Sequence, residues 1–179
     1  MRPVERSILA GRACDVAPRL LGKLFVHGPC VGRIVEVEAY DQDDPASHSH
    51  RGATARNASM FGPPGHLYVY FTYGMHHCAN VVTGPPGTGE AVLLRAVLPV
   101  AGVESMRARR QGRRQLADGP AKLCQAFAIG PDHDGVDLCS GDVDRPGLFD
   151  DGAPPVGVIA GPRIGISKAV DVPWRFRIP

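Results

Sequence analysis

Apolar residues along this chain recur mostly with period two, and glycine and proline interrupt them often. That pattern predicts short strands joined by turns. The clearest run is Gly32-Arg-Ile-Val-Glu36-Val-Glu38-Ala-Tyr40. Simple alternation puts Ile34, Glu36, Glu38 and Tyr40 on one face and Val35, Val37 and Ala39 on the other. The valine face suits a core. Two carboxylates and a tyrosine on the opposite face are expensive to bury without a purpose. A second run, Tyr68-Val-Tyr70-Phe-Thr-Tyr73-Gly74, leads through a tight turn into a returning strand that contains Asn80. This reads as a β-hairpin with Tyr73 at its tip. A tyrosine there gains nothing from burial in its own core and is placed to wedge between flat groups such as stacked bases.

The same patterning predicts strands over 23–27 and 91–98, the latter ended by Pro99. Shorter ones are expected around 136–138, 147–149, 163–166 and 174–178. Helices are expected over about 15–21, 103–110 and 118–129, with Pro120 in the first turn of the last, where its missing N–H costs nothing. That helix start, with Lys122 beside it, is a candidate phosphate contact; an ordinary core-packing helix explains it equally. Residues 41–58 form a polar loop, long for a compact domain and so of a functional or disordered kind. Residues 132–155 are acidic and turn-rich. No repeat or linker marks a boundary, so residues 1–179 are expected to form a single domain.

Composition narrows the options. The hydrophobic share of 44% is usual for a soluble fold. No apolar run approaches the roughly 20 residues that cross a bilayer, and the start of the chain does not resemble a signal peptide, so no membrane role and an intracellular location (cytoplasm or nucleoid) are expected. The five cysteines, Cys14, Cys30, Cys78, Cys124 and Cys139, include no C-x-x-C pair and are expected to be reduced thiols. Net charge is only +2, yet Arg107, Arg109, Arg110, Arg113 and Arg114 crowd one segment. Such a local patch meets phosphates even when acids elsewhere cancel the total, although a solvated helix end would look the same.

Candidate chemistry gathers on the two runs. Either Glu36 or Glu38 can act as a general base on water, and a salt-bridged strand glutamate is the competing reading; the strand pattern does not separate the two. His48 and His50 have a spacing that two metal ligands can use, with a glutamate as a third, but no H-E-x-x-H pattern accompanies them. A histidine that stacks on or hydrogen-bonds to a planar ligand fits better. All four tyrosines, Tyr40, Tyr68, Tyr70 and Tyr73, belong to these strands. They build either an aromatic core face or the walls of a base pocket. Asn80 and Arg95 on neighbouring strands supply a group that tests a base edge and one that holds a phosphate or carboxylate.

Several blocks in one order carry a resemblance: Leu-Leu-Gly-Lys at 20–23, Gly-Arg-Ile-Val-Glu-Val-Glu-Ala-Tyr at 32–40, Ala-Ser-His-Ser at 46–49, Arg-Asn at 56–57 and Met-Phe at 60–61. They continue with Leu-Tyr-Val-Tyr-Phe-Thr-Tyr-Gly-Met at 67–75, Val-Leu-Leu-Arg-Ala at 92–96 and Gly-Pro-Ala-Lys-Leu-Cys-Gln-Ala at 119–126. In these the chain resembles the alkyladenine (3-methyladenine) DNA glycosylases of the mammalian type. The resemblance implies an α+β fold, a single mixed domain with a curved antiparallel sheet flanked by helices and a protruding hairpin. It implies Glu38, not Glu36, as the water-activating carboxylate, with Arg95 near that water and the DNA backbone. Tyr40, His48 and Tyr70 would hold the flipped base, Asn80 would select against guanine, and Tyr73 would fill the gap in the duplex.

The implied enzyme is monofunctional, needs no metal or other cofactor, and acts as a monomer on double-stranded DNA. Lys122, Arg107 and Arg110 are the expected backbone contacts. His76-His77 stands where the family has bulkier aromatics, and the segments between Tyr40 and His48 and between Arg110 and Asp118 are shorter than in the mammalian members. Two rivals are a non-catalytic nucleic-acid-binding module and a metal-dependent hydrolase built on His48 and His50.

Overall fold

A computed structural model describes residues 1–154 and 157–179. The end of the acidic stretch over 132–155 therefore lies outside the described residues. Chain order runs β1 (Arg2–Pro3), α1 (Ala13–Leu20), β2 (Leu24–His27), β3 (Cys30–Tyr40), β4 (Leu67–Thr72), β5 (His76–Val82) and β6 (Ala91–Ala101). It continues with α2 (Val103–Arg109), α3 (Pro120–Ala126), β7 (Gly147–Asp150), β8 (Ile159–Gly161) and β9 (Arg175–Arg177). The strands make one curved antiparallel sheet in the order β1-β7-β2-β3-β6-β5-β4. Strand β9 joins β3 alongside its second half, and β8 extends from β9. The fold is thus α+β, as expected.

The sheet has one apolar face under helices and one polar, aromatic face. Val37 and Ala39 of β3, Val92 and Leu94 of β6, Ala79 and Val81 of β5, and Leu67 and Val69 of β4 all point into the main core. Helix α1 covers this face with the stripe Ala13, Val16, Ala17 and Leu20, spaced i, i+3, i+4, i+7, and each is buried. Helix α3 adds Leu123, Cys124 and Ala126. Phe25 packs on Phe127 with centroids 5.1 Å apart. On the opposite face a lateral row runs across four strands through Glu38, Leu93, Asn80 and Tyr68. Directly paired residues point to the same side of a sheet, so this row fixes the site.

Alternation alone misplaced two residues of β3, Ile34 and Val35. A bulge between Ile34 and Glu36 inserts an extra residue, so Ile34 turns into the core while Val35 is only half-buried. Glu36, Glu38 and Tyr40 share a face as expected, but Ile34 is not with them. Strand β6 continues through Pro99 to Ala101 rather than stopping. Strand β5 pairs with β6 only over Ala91–Leu93, which leaves one flank of β6 without a strand at Pro99, where a missing N–H is tolerated. Residues 163–166 are not a strand: Gly165 has φ +78°, and the last strand pair is formed by β8 and β9 instead. The long loop at 41–58 is tied down, with Asn57 Nδ2 donating to the carbonyls of His48 and Gly52. Cys30, Cys78 and Cys124 are buried, Cys14 and Cys139 half-buried, and all are free thiols.

Candidate active site

A cleft of about 520 Å³ opens on the polar face of the sheet, within the roughly 300–1,000 Å³ usual for small-molecule sites. Glu38 stands in its wall. The side chain has no exposed surface, and its oxygens meet only donors. Tyr40 Oη donates to Oε2 at 2.8 Å, and the backbone N–H of Ile164 donates to Oε1 at 2.7 Å. Arg95 Nη1 lies 3.4 Å from Oε1. Burial, and then the neighbouring Glu38, push the Tyr40 hydroxyl well above the ordinary phenol range, so it stays protonated and donates. Glu36 has a different task. Its Oε1 accepts from Arg95 Nε and from Arg175 Nη1, both at 3.1 Å. Glu36 therefore aims Arg95, and Glu38 is left as the carboxylate of the cleft.

The aromatic lining comes from three segments. Tyr68 and Tyr70 are successive outward residues of β4, with ring centroids 5.7 Å apart. The His48 ring packs edge-on to Tyr70 at 4.3 Å, and its Nδ1 lies 3.3 Å from Tyr68 Oη. Burial, and then the charge of Arg56, lower the His48 pKa, which keeps the imidazole neutral at pH 7. Burial raises the Tyr68 hydroxyl to about 12 and raises that of Tyr70 as well. Tyr40 closes the site from β3, with the Arg163 guanidinium 4.6 Å from its ring centroid. Asn80 is buried in the row and donates from Nδ2 to the Tyr68 carbonyl at 3.1 Å.

Tyr73 stands at the mouth of the same cleft and is 84% exposed. Its φ is +51°, followed by Gly74 at +66°, and Met75 N–H donates to the Thr72 carbonyl at 3.1 Å. Two successive positive φ angles fit the twist of a tight hairpin. A tyrosine adopts one at a cost, and the turn spends that cost on holding the ring outward. His76, opposite Thr72 in the register, also lines the cleft, and its Nδ1 has no hydrogen-bond partner among the described residues.

The cleft thus sets a buried, donor-held carboxylate against an aromatic slot, with an exposed ring at the mouth. The methylpurine-DNA glycosylase family model matches residues 7–179. The chain belongs to the methylpurine-DNA glycosylase family. Among its relatives, a protein of Burkholderia lata named "Putative 3-methyladenine DNA glycosylase" is 56% identical over 173 residues, covering 93% of this chain and 83% of that protein. Bearers of the same name from Rhodopseudomonas palustris and Streptomyces avermitilis are 49% and 48% identical, covering 97% and 98% of this chain and 86% and 87% of their own. A member of this family is a DNA glycosylase, a hydrolase of base excision repair whose substrate is DNA.

In this glycosylase the expected backbone contacts sit differently from one another. Arg107 is exposed and pairs with Glu104 at 2.7 Å. Lys122 pairs with Asp118 at 3.0 Å and also reaches Gln115 Oε1. Arg110 is buried, with its guanidinium donating to the Gln115 carbonyl and to the Gln125 side chain, so it braces the loop that carries the exposed Arg113 and Arg114. Among the described residues no three His, Cys, Asp or Glu side chains gather as metal ligands, and no helix is long and apolar enough to cross a membrane. Sequence reasoning missed Ile164, Lys168 and His76 as cleft residues, and Asp44 and Arg163 behind Tyr40. The doubled histidine after the turn was the one signal available for His76. Ile164 acts through its backbone N–H, which no side-chain pattern reveals.

Proposed function

We propose that this chain, acting as a monomer and a single domain inside the cell, hydrolyses the N-glycosidic bond of alkylated purines of the 3-methyladenine type after flipping the nucleotide out of duplex DNA. A base inside the stack is out of reach of any side chain, and extruding it costs a few kcal/mol, least for a damaged base. Tyr73 enters the vacated position and offsets part of that cost. The flipped base lies between Tyr40 on one side and Tyr70 with His48 on the other, and Asn80 tests its edge. Arg107 and Lys122, with Arg113 and Arg114 beside them, meet backbone phosphates, while Arg110 fixes the loop that presents them.

The observation that carries this reading is the environment of Glu38. An ionised carboxylate offers about four acceptor positions. Tyr40 and Ile164 fill two of these by hydrogen bonds and Arg95 stands 3.4 Å away as a counter-charge, which leaves acceptor capacity for the attacking water. The water oxygen attacks C1′, the C1′–N bond breaks, and the water's proton passes to Glu38. An alkylated purine is cationic and leaves as a neutral base, so one carboxylate suffices where ordinary glycosidases need a pair. No amine is assigned as a nucleophile, so the product is an abasic site with an intact backbone.

The test is base release from duplexes carrying 3-methyladenine, ethenoadenine or hypoxanthine, run with excess chelator. Free 3-methyladenine at undiminished rate in chelator is expected. No release of any of the three bases, or activity that chelator abolishes, removes the proposal.

A further inference from the structure

We infer that the buried ion pair Asp44–Arg163 is a positioning device for the reacting carboxylate, and that Arg163 sets the excision rate without touching the substrate. This rests on the reading of Glu38 given above. The two side chains come from segments 119 residues apart and are almost wholly buried, at 2% and 0% exposure. Arg163 Nη2 donates to Asp44 Oδ1 at 3.1 Å, and Nη1 donates to Oδ2. The same Nη1 donates to the Ala39 carbonyl at 2.9 Å. Ala39 is the residue between Glu38 and Tyr40, and its N–H donates to the Trp174 carbonyl at 2.9 Å. The guanidinium also stacks 4.6 Å from the Tyr40 centroid and 5.4 Å from that of Trp174.

One fork therefore fixes four things together. It ties down the loop that carries His48 through Asp44, and it pins the backbone between the two site residues of β3. It supports the far face of the Tyr40 ring. It also fixes the backbone of residue 163, whose neighbour Ile164 holds Glu38 Oε1 at 2.7 Å. Stability alone is a poor reason to keep the pair. A buried ion pair is commonly no better than apolar side chains of the same volume, and Arg163 Nε has no partner among the described residues, a further cost. What apolar side chains would not reproduce is the directional hold on Glu38 and Tyr40. Lysine keeps the charge but lacks the planar two-pronged donor.

The experiment compares Arg163→Lys and Asp44→Asn with the parent on a 3-methyladenine duplex. It reads the single-turnover rate at saturating enzyme, corrected by active-site titration, and separately the dissociation constant for the same duplex. Misplacement of reacting groups by an ångström costs about a hundredfold. The expected result is a rate lowered about 10- to 100-fold in both variants, with duplex affinity within about threefold of the parent. A purely structural pair would lower the titrated active fraction and leave the rate per active site unchanged; that result overturns the inference. So does failure of both variants to fold, which would make the pair a stability element. Glu38→Gln run in parallel separates the levels: if it keeps the parent rate, the reading of Glu38 has failed, whereas if it is inactive and Arg163→Lys is not impaired, only the positioning inference has.

Discussion

Replacing Tyr40 with phenylalanine separates two roles that share one side chain. The ring forms a wall of the base slot, and the hydroxyl donates to Glu38 Oε2 at 2.8 Å. The substitution keeps the ring and the Arg163 stack behind it but deletes that donor. A hydrogen bond to a charged acceptor contributes about 1.5–3 kcal/mol, and each 1.36 kcal/mol is tenfold in rate. If the hydroxyl orders the carboxylate for attack, Tyr40→Phe should slow single-turnover excision about 10- to 150-fold. Duplex binding, which depends on the ring, should change little. The assay is quenched single-turnover release of 3-methyladenine, paired with fluorescence anisotropy of a lesion duplex. A parent-like rate with weakened binding would refute the reasoning, since it would leave Tyr40 as a stacking surface only.

Tyr73→Ala should weaken binding to lesion duplexes by about 5- to 150-fold, from about 1–3 kcal/mol of lost stacking, and weaken binding to lesion-bearing single strands much less. An equal loss on both would count against the wedge. Gly32→Ala should destabilise the fold by about 1–3 kcal/mol, because a Cβ there would stand 2.6 Å from Val97 Cγ2 and 2.9 Å from Phe127 Cζ; urea denaturation reads this. Stability should also fall on mild acidification. Burial, and then the His27 ring, lower the His133 pKa, so the unfolded chain takes up that proton first as pH falls below about 6.5. Stability from His133 is therefore complete above that pH and lost as pH drops toward the lowered folded value. His133→Asn should flatten the dependence of the urea midpoint between pH 7 and pH 5, and an unchanged slope would contradict it.

Local patterning was enough for the hairpin, for α1 and for the shared face of Glu36, Glu38 and Tyr40, because strand and helix periods act over a few residues. It failed at Ile34, where the bulge of β3 depends on what β6 presents across the ladder. It failed again at 163–166, where an alternating apolar pattern gave way to a turn because Arg163 finds Asp44 and Ile164 finds Glu38. Nothing near either residue in the chain signals those partners. The buried state of Arg110 was hidden in the same way, since a run of arginines looks solvated until Gln115 and Gln125 fold around one of them. The strand pattern did not separate Glu36 from Glu38; in the fold Glu36 is held by Arg95 and Arg175 while Glu38 lines the cleft, which is the basis of the proposal for Glu38.

The most direct test of the whole account is single-turnover excision by Glu38→Gln on a 3-methyladenine duplex, with binding to the same duplex measured alongside. Glutamine nearly matches the shape of the carboxylate but cannot take a proton from water. The account predicts binding close to that of the parent with base release reduced by about 10²-fold or more, the scale of general base catalysis. Release at the parent rate would contradict it.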